Sequence, residues 1–279
     1  MIIGKFAKKV RPWLTTVLLF VLICIGSQGV SFQPSHASEK SLTVAAASDL
    51  HYAFKELITM FEKNTGRSVK LSLGSSGNFF AQIQNGAPFD VYFSADIGFP
   101  KKLVESGHAL PDTLYQYARG RIVLWVPKSS KLEVSKGMDV LLDPSIKKIA
   151  IANPKHAPYG RAAVSAMQHA KLYERVKDKI VLGENVSQAA QFVESGTVDV
   201  GIIALSLAKA PSMQAAGMFW LVPADAHPPI DQGAVVIKTS ANQEDAKAFL
   251  DFIRTPPARQ VMRSYGFVLP GEDGDPHAR

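Results

Sequence analysis

Short apolar runs alternate with segments of helical spacing along most of the chain, and that rhythm limits the fold more than any other feature of the sequence. Leu42-Thr43-Val44-Ala45-Ala46 suits a strand buried on both faces, and Phe54, Leu57, Ile58 and Phe61 follow at the three- and four-residue spacing of one helix face. Gly66 ends that helix. Val69, Leu71 and Leu73 alternate with polar residues as a second strand, Ser75-Ser76-Gly77 turns, and Phe79, Phe80 and Ile83 predict a helix stopping near Gly86. A third round follows with Val91-Tyr92-Phe93 and a helix from about Pro100 to Ser106. Repetition of β-turn-α predicts a parallel sheet with helices on its faces.

After Gly120 the rhythm restarts. Ile122 to Val126 and Lys148 to Ala152 read as strands, followed by a helix from about Arg161 to His169 and a strand near Ile180-Val181-Leu182. A helix from about Gln188 to Glu194, strands at Val200 to Ala204, Phe219 to Val222 and Ala234 to Ile237, and two helices, Ala246 to Arg254 and Ala258 to Tyr265, complete the pattern. At 279 residues and 47% hydrophobic, the chain is long for one average domain and rich enough in apolar residues for two. No flexible Gly/Ser linker separates the two β/α series. The expected organisation is therefore two lobes joined by crossing strands, residues 38–121 with 237–279 forming one and 122–236 the other. A cleft between such lobes is the default ligand site.

Residues 1–37 have the pattern of a secretory signal peptide, with Lys5, Lys8, Lys9 and Arg11, an apolar run from Trp13 to about Gly26, and Ser35-His36-Ala37 before cleavage after Ala37. The run is shorter than the roughly 20 residues that span a bilayer. Removing these residues takes four of 31 basic side chains and no acidic one, so the net charge falls from +7 to +3. That balance argues against a nucleic-acid binder. The single cysteine, Cys24, leaves with the leader, so an exported protein without disulfides must rest on its core.

Candidate chemistry gathers at four turns between a strand end and a helix start: Ala46-Ala47-Ser48-Asp49, Gly74-Ser75-Ser76-Gly77-Asn78, Ala157-Pro158-Tyr159-Gly160 and Asn185-Val186-Ser187-Gln188. Unpaired backbone N–H groups and the positive helix end make such turns anion sites, and a serine hydroxyl adds a donor. Ordinary capping by Ser, Asp and Asn is the better account of any one of them; four in one chain shift the balance toward the anion. A nucleophilic Ser76 would require a G-x-S-x-G elbow, but Gly77 follows Ser76 directly. The histidines show no metal-binding spacing, and Tyr115 and Tyr117, which could hold ferric iron, have equally the spacing of core tyrosines on a strand.

The motifs together resemble the periplasmic molybdate-binding proteins that serve ABC uptake transporters. The resemblance runs from Leu42 to about Leu269 and is carried by Val44-Ala45-Ala46-Ala47-Ser48, Ser75-Ser76 with Gln82-Ile83 and Asn85-Gly86-Ala87-Pro88, Phe93-Ser94-Ala95-Asp96, Asn153-Pro154 with Ala157-Pro158-Tyr159-Gly160, and Tyr265-Gly266-Phe267. It implies an α/β, two-lobed class II solute-binding fold, each lobe a mainly parallel sheet flanked by helices, closing on molybdate or tungstate without cofactor or catalysis. It places ligand contacts at Ser48, Ser76, Tyr159 and the Val186 amide, with Asp49, Ser75, Gly160 and Ser187 as secondary candidates, and no side chain coordinating molybdenum directly. Many members carry a tyrosine where this chain has Ala204, so the Tyr159 phenol is expected to replace that donor. Asp49 is expected to favour its helix dipole, or else to accept the proton of monohydrogen phosphate. The implied partner is a membrane ABC permease, the compartment a periplasm, and the working form a monomer. Rival readings are the same fold binding sulfate, phosphate or ferric iron, and a secreted serine hydrolase using Ser76. Trp125 and Trp220, both in the second lobe, are expected to report closure.

Overall fold

The computed structural model describes residues 41–272, so the expected leader and its cleavage after Ala37 lie outside the described residues. The first lobe begins with strand β1 (Leu42–Ala47), a single turn at Ser48–Leu50 and helix α1 (His51–Thr65). Gly66, at φ 69°, takes the left-handed conformation that ends α1 and returns its N–H to the Glu62 carbonyl. Then come β2 (Val69–Gly74), α2 (Ser76–Gln84), β3 (Val91–Ser94), α3 (Gly98–Glu105) and β4 (Tyr115–Gly120). The chain crosses at Arg121 into β5 (Ile122–Pro127), the first strand of the second lobe. That lobe continues with β6 (Ile149–Ala152), α4 (Pro158–His169), α5 (Tyr173–Val176), β7 (Ile180–Gly183), α6 (Val186–Glu194), β8 (Val200–Ala204), α7 (Leu205–Ala208), α8 (Pro211–Ala216) and β9 (Gly217–Leu221). Strand β10 (Ile230–Val236) leads back to α9 (Gln243–Arg254) and α10 (Pro256–Ser264).

Two five-stranded sheets result, in the orders β2-β1-β3-β10-β4 and β7-β6-β8-β5-β9. Strand β10 pairs with β3 and β4 in the first sheet, so the return crossing lies before Ile230 and not after Val236 as the apolar runs suggested. The strands that carry the chain between lobes enter reversed: β10 is antiparallel to both neighbours, as is β5 to β8 and β9. The outer β/α units keep the expected parallel pairing.

Each lobe is held by burial on both sheet faces. In the first lobe the period of two sends Val44, Ala46, Val91, Phe93, Ala234 and Val236 to a core under α1, α9 and α10, where Phe54, Phe61, Phe93 and Phe249 meet edge to face. Ala45, Tyr92 and Val235 point the other way, onto Phe79, Ile83 and Leu103 of α2 and α3. The second lobe has one core around Trp125, Leu124, Ile151, Ile203 and Met167. The rigid strand ends that result are what fix the turns of the cleft.

Candidate functional site

Four turns meet where the lobes face each other. Ala47, Ser48, Asp49, Gly74, Ser75, Ser76 and Ala95 from the first lobe, with Ala157, Pro158, Tyr159, Asn185 and Val186 from the second, line a small cavity of about 10 Å³. Pockets for organic ligands run to roughly 300–1,000 Å³, so this space has no room for one. All four primary candidates, Ser48, Ser76, Tyr159 and Val186, lie on its wall, and no lysine, arginine or histidine does.

The turns bear little of the capping that competed with an anion site. Ser75 precedes α2 without a side-chain cap bond, as do Ala47 before the Ser48 turn and Ala157 before α4; Asn185 alone caps, its Oδ1 accepting the Gln188 amide at 3.1 Å. First-turn amides have no acceptor within their own helix, and Ser76, Tyr159 and Val186, each in such a turn, line the cavity. The two serine hydroxyls at the wall each accept a backbone amide. Ser76 Oγ accepts the Ala95 amide at 2.9 Å and Ser48 Oγ accepts the Ser187 amide at 3.3 Å, which leaves each hydroxyl proton available. Ser76 is also held from behind, its carbonyl accepting from the Tyr92 phenol at 2.7 Å.

The secondary candidates divide. Ser75 lines the cavity but its Oγ lies 2.8 Å from His156 Nδ1 across the cleft. Ser187 turns to Ser48, donating Oγ to its carbonyl at 2.8 Å, and so braces a cavity residue from the opposite lobe. Gly160 is a packing glycine: its amide goes to the Ala157 carbonyl, and a Cβ there would sit 2.1 Å from the Ala152 carbonyl oxygen. That contact lets α4 start hard against the end of β6.

Tyr159 requires a correction. Its phenol donates to Asp49 Oδ2 at 2.9 Å and accepts from Gln232 Nε2, also at 2.9 Å, so its one proton is committed inside the protein. The Tyr159 backbone N–H, in the first turn of α4, has no acceptor within that helix. Asp49 is correspondingly more than a first-turn acid. Its Oδ2 accepts from Gln232 Nε2 at 2.7 Å as well, Ser206 Oγ donates to its carbonyl at 2.7 Å, and Oδ1 has no partner. Burial pushes its carboxyl up to about 7, against the downward pull of the Gln232 and Tyr159 hydrogen bonds. Gln232 was missed by sequence reasoning; its only signal is a polar residue inside the β10 run, fully buried.

The rival chemistries find no machinery in these positions. Ser76 has no histidine on its hydroxyl; the cleft histidine, His156, bonds Ser75 instead. Tyr117 gives its phenol to the Ser94 carbonyl within the core, and Tyr115 lies under the Arg254 guanidinium at 4.4 Å. Among the described residues no group of three or more His, Cys, Asp or Glu side chains could hold a metal ion.

Comparison with known proteins agrees with this geometry. Residues 42–268 match the family model of the bacterial extracellular solute-binding proteins. The chain is 40% identical over 235 residues to the molybdate-binding protein ModA of Rhodobacter capsulatus, covering 84% of this chain and 90% of that one. It is 38% identical over 233 residues to ModA of Azotobacter vinelandii, with 84% and 92% covered. The solved structure of the Azotobacter vinelandii periplasmic molybdate-binding protein superposes with a TM-score of 0.78 at 36% identity, over 82% of this chain and all of that one. With two β/α lobes closing on a cavity of donors, the chain belongs to the bacterial extracellular solute-binding proteins.

Proposed function

We propose that this protein captures molybdate, and tungstate with it, outside the cytoplasmic membrane and hands the anion to an ABC permease, without turning it over. The observation that carries the reading is a small inter-lobe cavity walled by donors and free of cationic side chains: the Ser48 and Ser76 hydroxyls and the first-turn amides of Ser76, Tyr159 and Val186. Molybdate near neutral pH is a dianion that only accepts hydrogen bonds. A pocket of neutral donors at helix starts satisfies it without desolvating a lysine or arginine, which would cost several kcal/mol. The names of the ModA relatives support the choice among oxyanions, and export through a cleaved leader fits the extracellular family. The protein is expected to act as a monomer in a periplasm, with no nucleic-acid partner and no cofactor.

Size separates molybdate from sulfate, since the Mo–O bond is the longer and helix starts set on rigid strands cannot close onto the smaller ion without leaving donors unpaired. Each buried donor left without a partner costs about 1–3 kcal/mol, so two give a preference of roughly thirtyfold or greater. The test is a thermal-shift series of oxyanions on the mature protein. Molybdate and tungstate should raise the melting temperature, by an amount growing with the logarithm of concentration, and sulfate should fail at the same concentrations. Equal stabilisation by sulfate or phosphate would assign the pocket to another oxyanion, and release of product from ester substrates would reinstate the hydrolase.

A further inference from the structure

A carboxylate has no place in the donor set of an acceptor-only dianion, yet Asp49 is buried at the cavity wall. The cluster around it is rich in acceptors: Asp49 Oδ1 and Gln232 Oε1 are both buried without a hydrogen-bond partner. One proton on Oδ1 would turn an unpartnered acceptor into a donor within the cluster that holds the other. Both lobes build the cluster. Asp49 and Gln232 come from the first, while Tyr159 and Ser206, which bond the Asp49 side chain and carbonyl, come from the second. Opening the cleft would therefore remove the Tyr159 and Ser206 cover and return the carboxyl toward water.

We propose that Asp49 is a proton-linked positioning residue, taking up one proton from solvent as the cleft closes on its anion and giving it back as the cleft opens. The inference rests on the oxyanion reading of the cavity and adds to it a dependence on pH. The proton adds to a carboxylate oxygen, and no other bond changes. It removes a negative charge that would otherwise stand beside the bound dianion.

Of the groups facing Asp49, the phenols and hydroxyls supply no competing charge change. Tyr159 from α4 and Tyr117 from β4 are both held well above the ordinary tyrosine range, by burial first and by Asp49 itself next, so they stay neutral. Ser187 of α6 and Ser206 of α7 are uncharged. His51, at the start of α1, is held below its ordinary range by burial and Lys55. Arg121, where β4 passes into β5, donates to the Val222 carbonyl at 3.3 Å. His156 sits across the cleft on Ser75, so the Asp49 contribution must be read as a difference between proteins.

The sign follows from linkage. An exposed carboxyl titrates at about 3.9 and the closed one at about 7, so the closed form alone holds the proton between those values. Affinity should fall as pH rises through that window and level off above it. From pH 6.0 to 8.5 the Kd for molybdate should weaken about tenfold, with about three-quarters of a proton taken up at pH 6.5. The experiment is calorimetry of the mature protein with molybdate, in buffers of different ionisation enthalpy across that range, on wild type and Asp49→Asn. Wild type should show the tenfold trend and the uptake, and Asp49→Asn should lose both. A difference infrared spectrum of wild type at pH 6.5 should gain a protonated-carboxyl band on adding molybdate, a readout that needs no variant. Tight binding with a flat pH profile and no such band overturns the proton link alone. Equal slopes in the two proteins overturn it too, and no binding of molybdate at any pH overturns the oxyanion reading beneath it.

Discussion

The Ser76 hydroxyl accepts the Ala95 amide on one lone pair, which leaves its proton for the anion of the proposed site. Ser76→Ala should weaken molybdate binding by about 1.5–3 kcal/mol, the range for a hydrogen bond to a charged group, and titration calorimetry with unchanged affinity would remove Ser76 from the site. Gly120, which does not itself line the cavity, tests the neighbouring cluster. A Cβ there would sit 2.1 Å from Tyr159 Oη and 2.7 Å from Gln232 Nε2, so the phenol and amide could not both keep their bonds to Asp49. Gly120→Ala should lower affinity through poorer closure while the separate lobe cores stay intact; wild-type affinity would show that the cluster does not govern closure. The four turns that meet at the cavity were legible in the sequence because strand-end turns announce themselves by small and hydroxyl residues. The partnership of Asp49, Tyr159 and Gln232 was not. These residues are 110 and 183 positions from Asp49, and neither periodicity nor propensity records which lobe surfaces face each other. For the same reason the phenol was assigned to the ligand when a buried carboxylate holds its proton.

At the scale of elements, the long helices were placed correctly but begun late, and the short α5, α7 and α8 were not read from the sequence. Hydrophobic spacing started the helices at Arg161 and Gln188, whereas α4 begins at Pro158 and α6 at Val186, because a first turn of small or polar residues carries no apolar signal. Those unmarked turns are the ones that present amides to the cavity. The apolar run of β10 was equally visible, but a run buried on both faces does not say which sheet it joins, and its pairing with β3 and β4 is decided by where the chain crosses. The capped start of α6 offers a test. Asn185→Ala removes the bond to the Gln188 amide and should cost about 0.5–2 kcal/mol of stability, and it should also lower affinity because the Val186 amide loses its fixed direction. Denaturant melts and calorimetry read the two effects separately; stability lost with affinity retained would mean that the cap serves the fold alone.

Across the whole molecule, closure is secured at two sides of the cavity by bonds between lobes. On one side Ser75 meets His156, the Gly77 amide donates to the His156 carbonyl at 2.9 Å, and Asn78 reaches Glu184 at 2.5 Å. On the other, Arg161 of α4 pairs with Asp96 at 2.6 Å beyond β3, and Asp96 also receives the Gly98 amide at 2.9 Å. Tryptophan emission is a poor reporter of this closure, contrary to expectation: Trp125 is buried within its own lobe, and Trp220 lies over Gly137, away from the cavity wall. Scattering should instead show a more compact particle with molybdate than without. The Arg161–Asp96 pair allows a sharper prediction. Both side chains are about two-fifths exposed, so water screens their attraction, and such a pair contributes no more than about 1 kcal/mol. It spans the lobes, however, so all of that small energy acts on opening and none on the stability of either core. Arg161→Gln should therefore speed molybdate release by no more than about fivefold and leave the melting temperature without ligand nearly unchanged. Raising salt should speed release from wild type toward the variant's rate and alter the variant little. Stopped-flow displacement at two ionic strengths measures this, and identical release rates in the two proteins would show that the pair forms without holding the cleft shut.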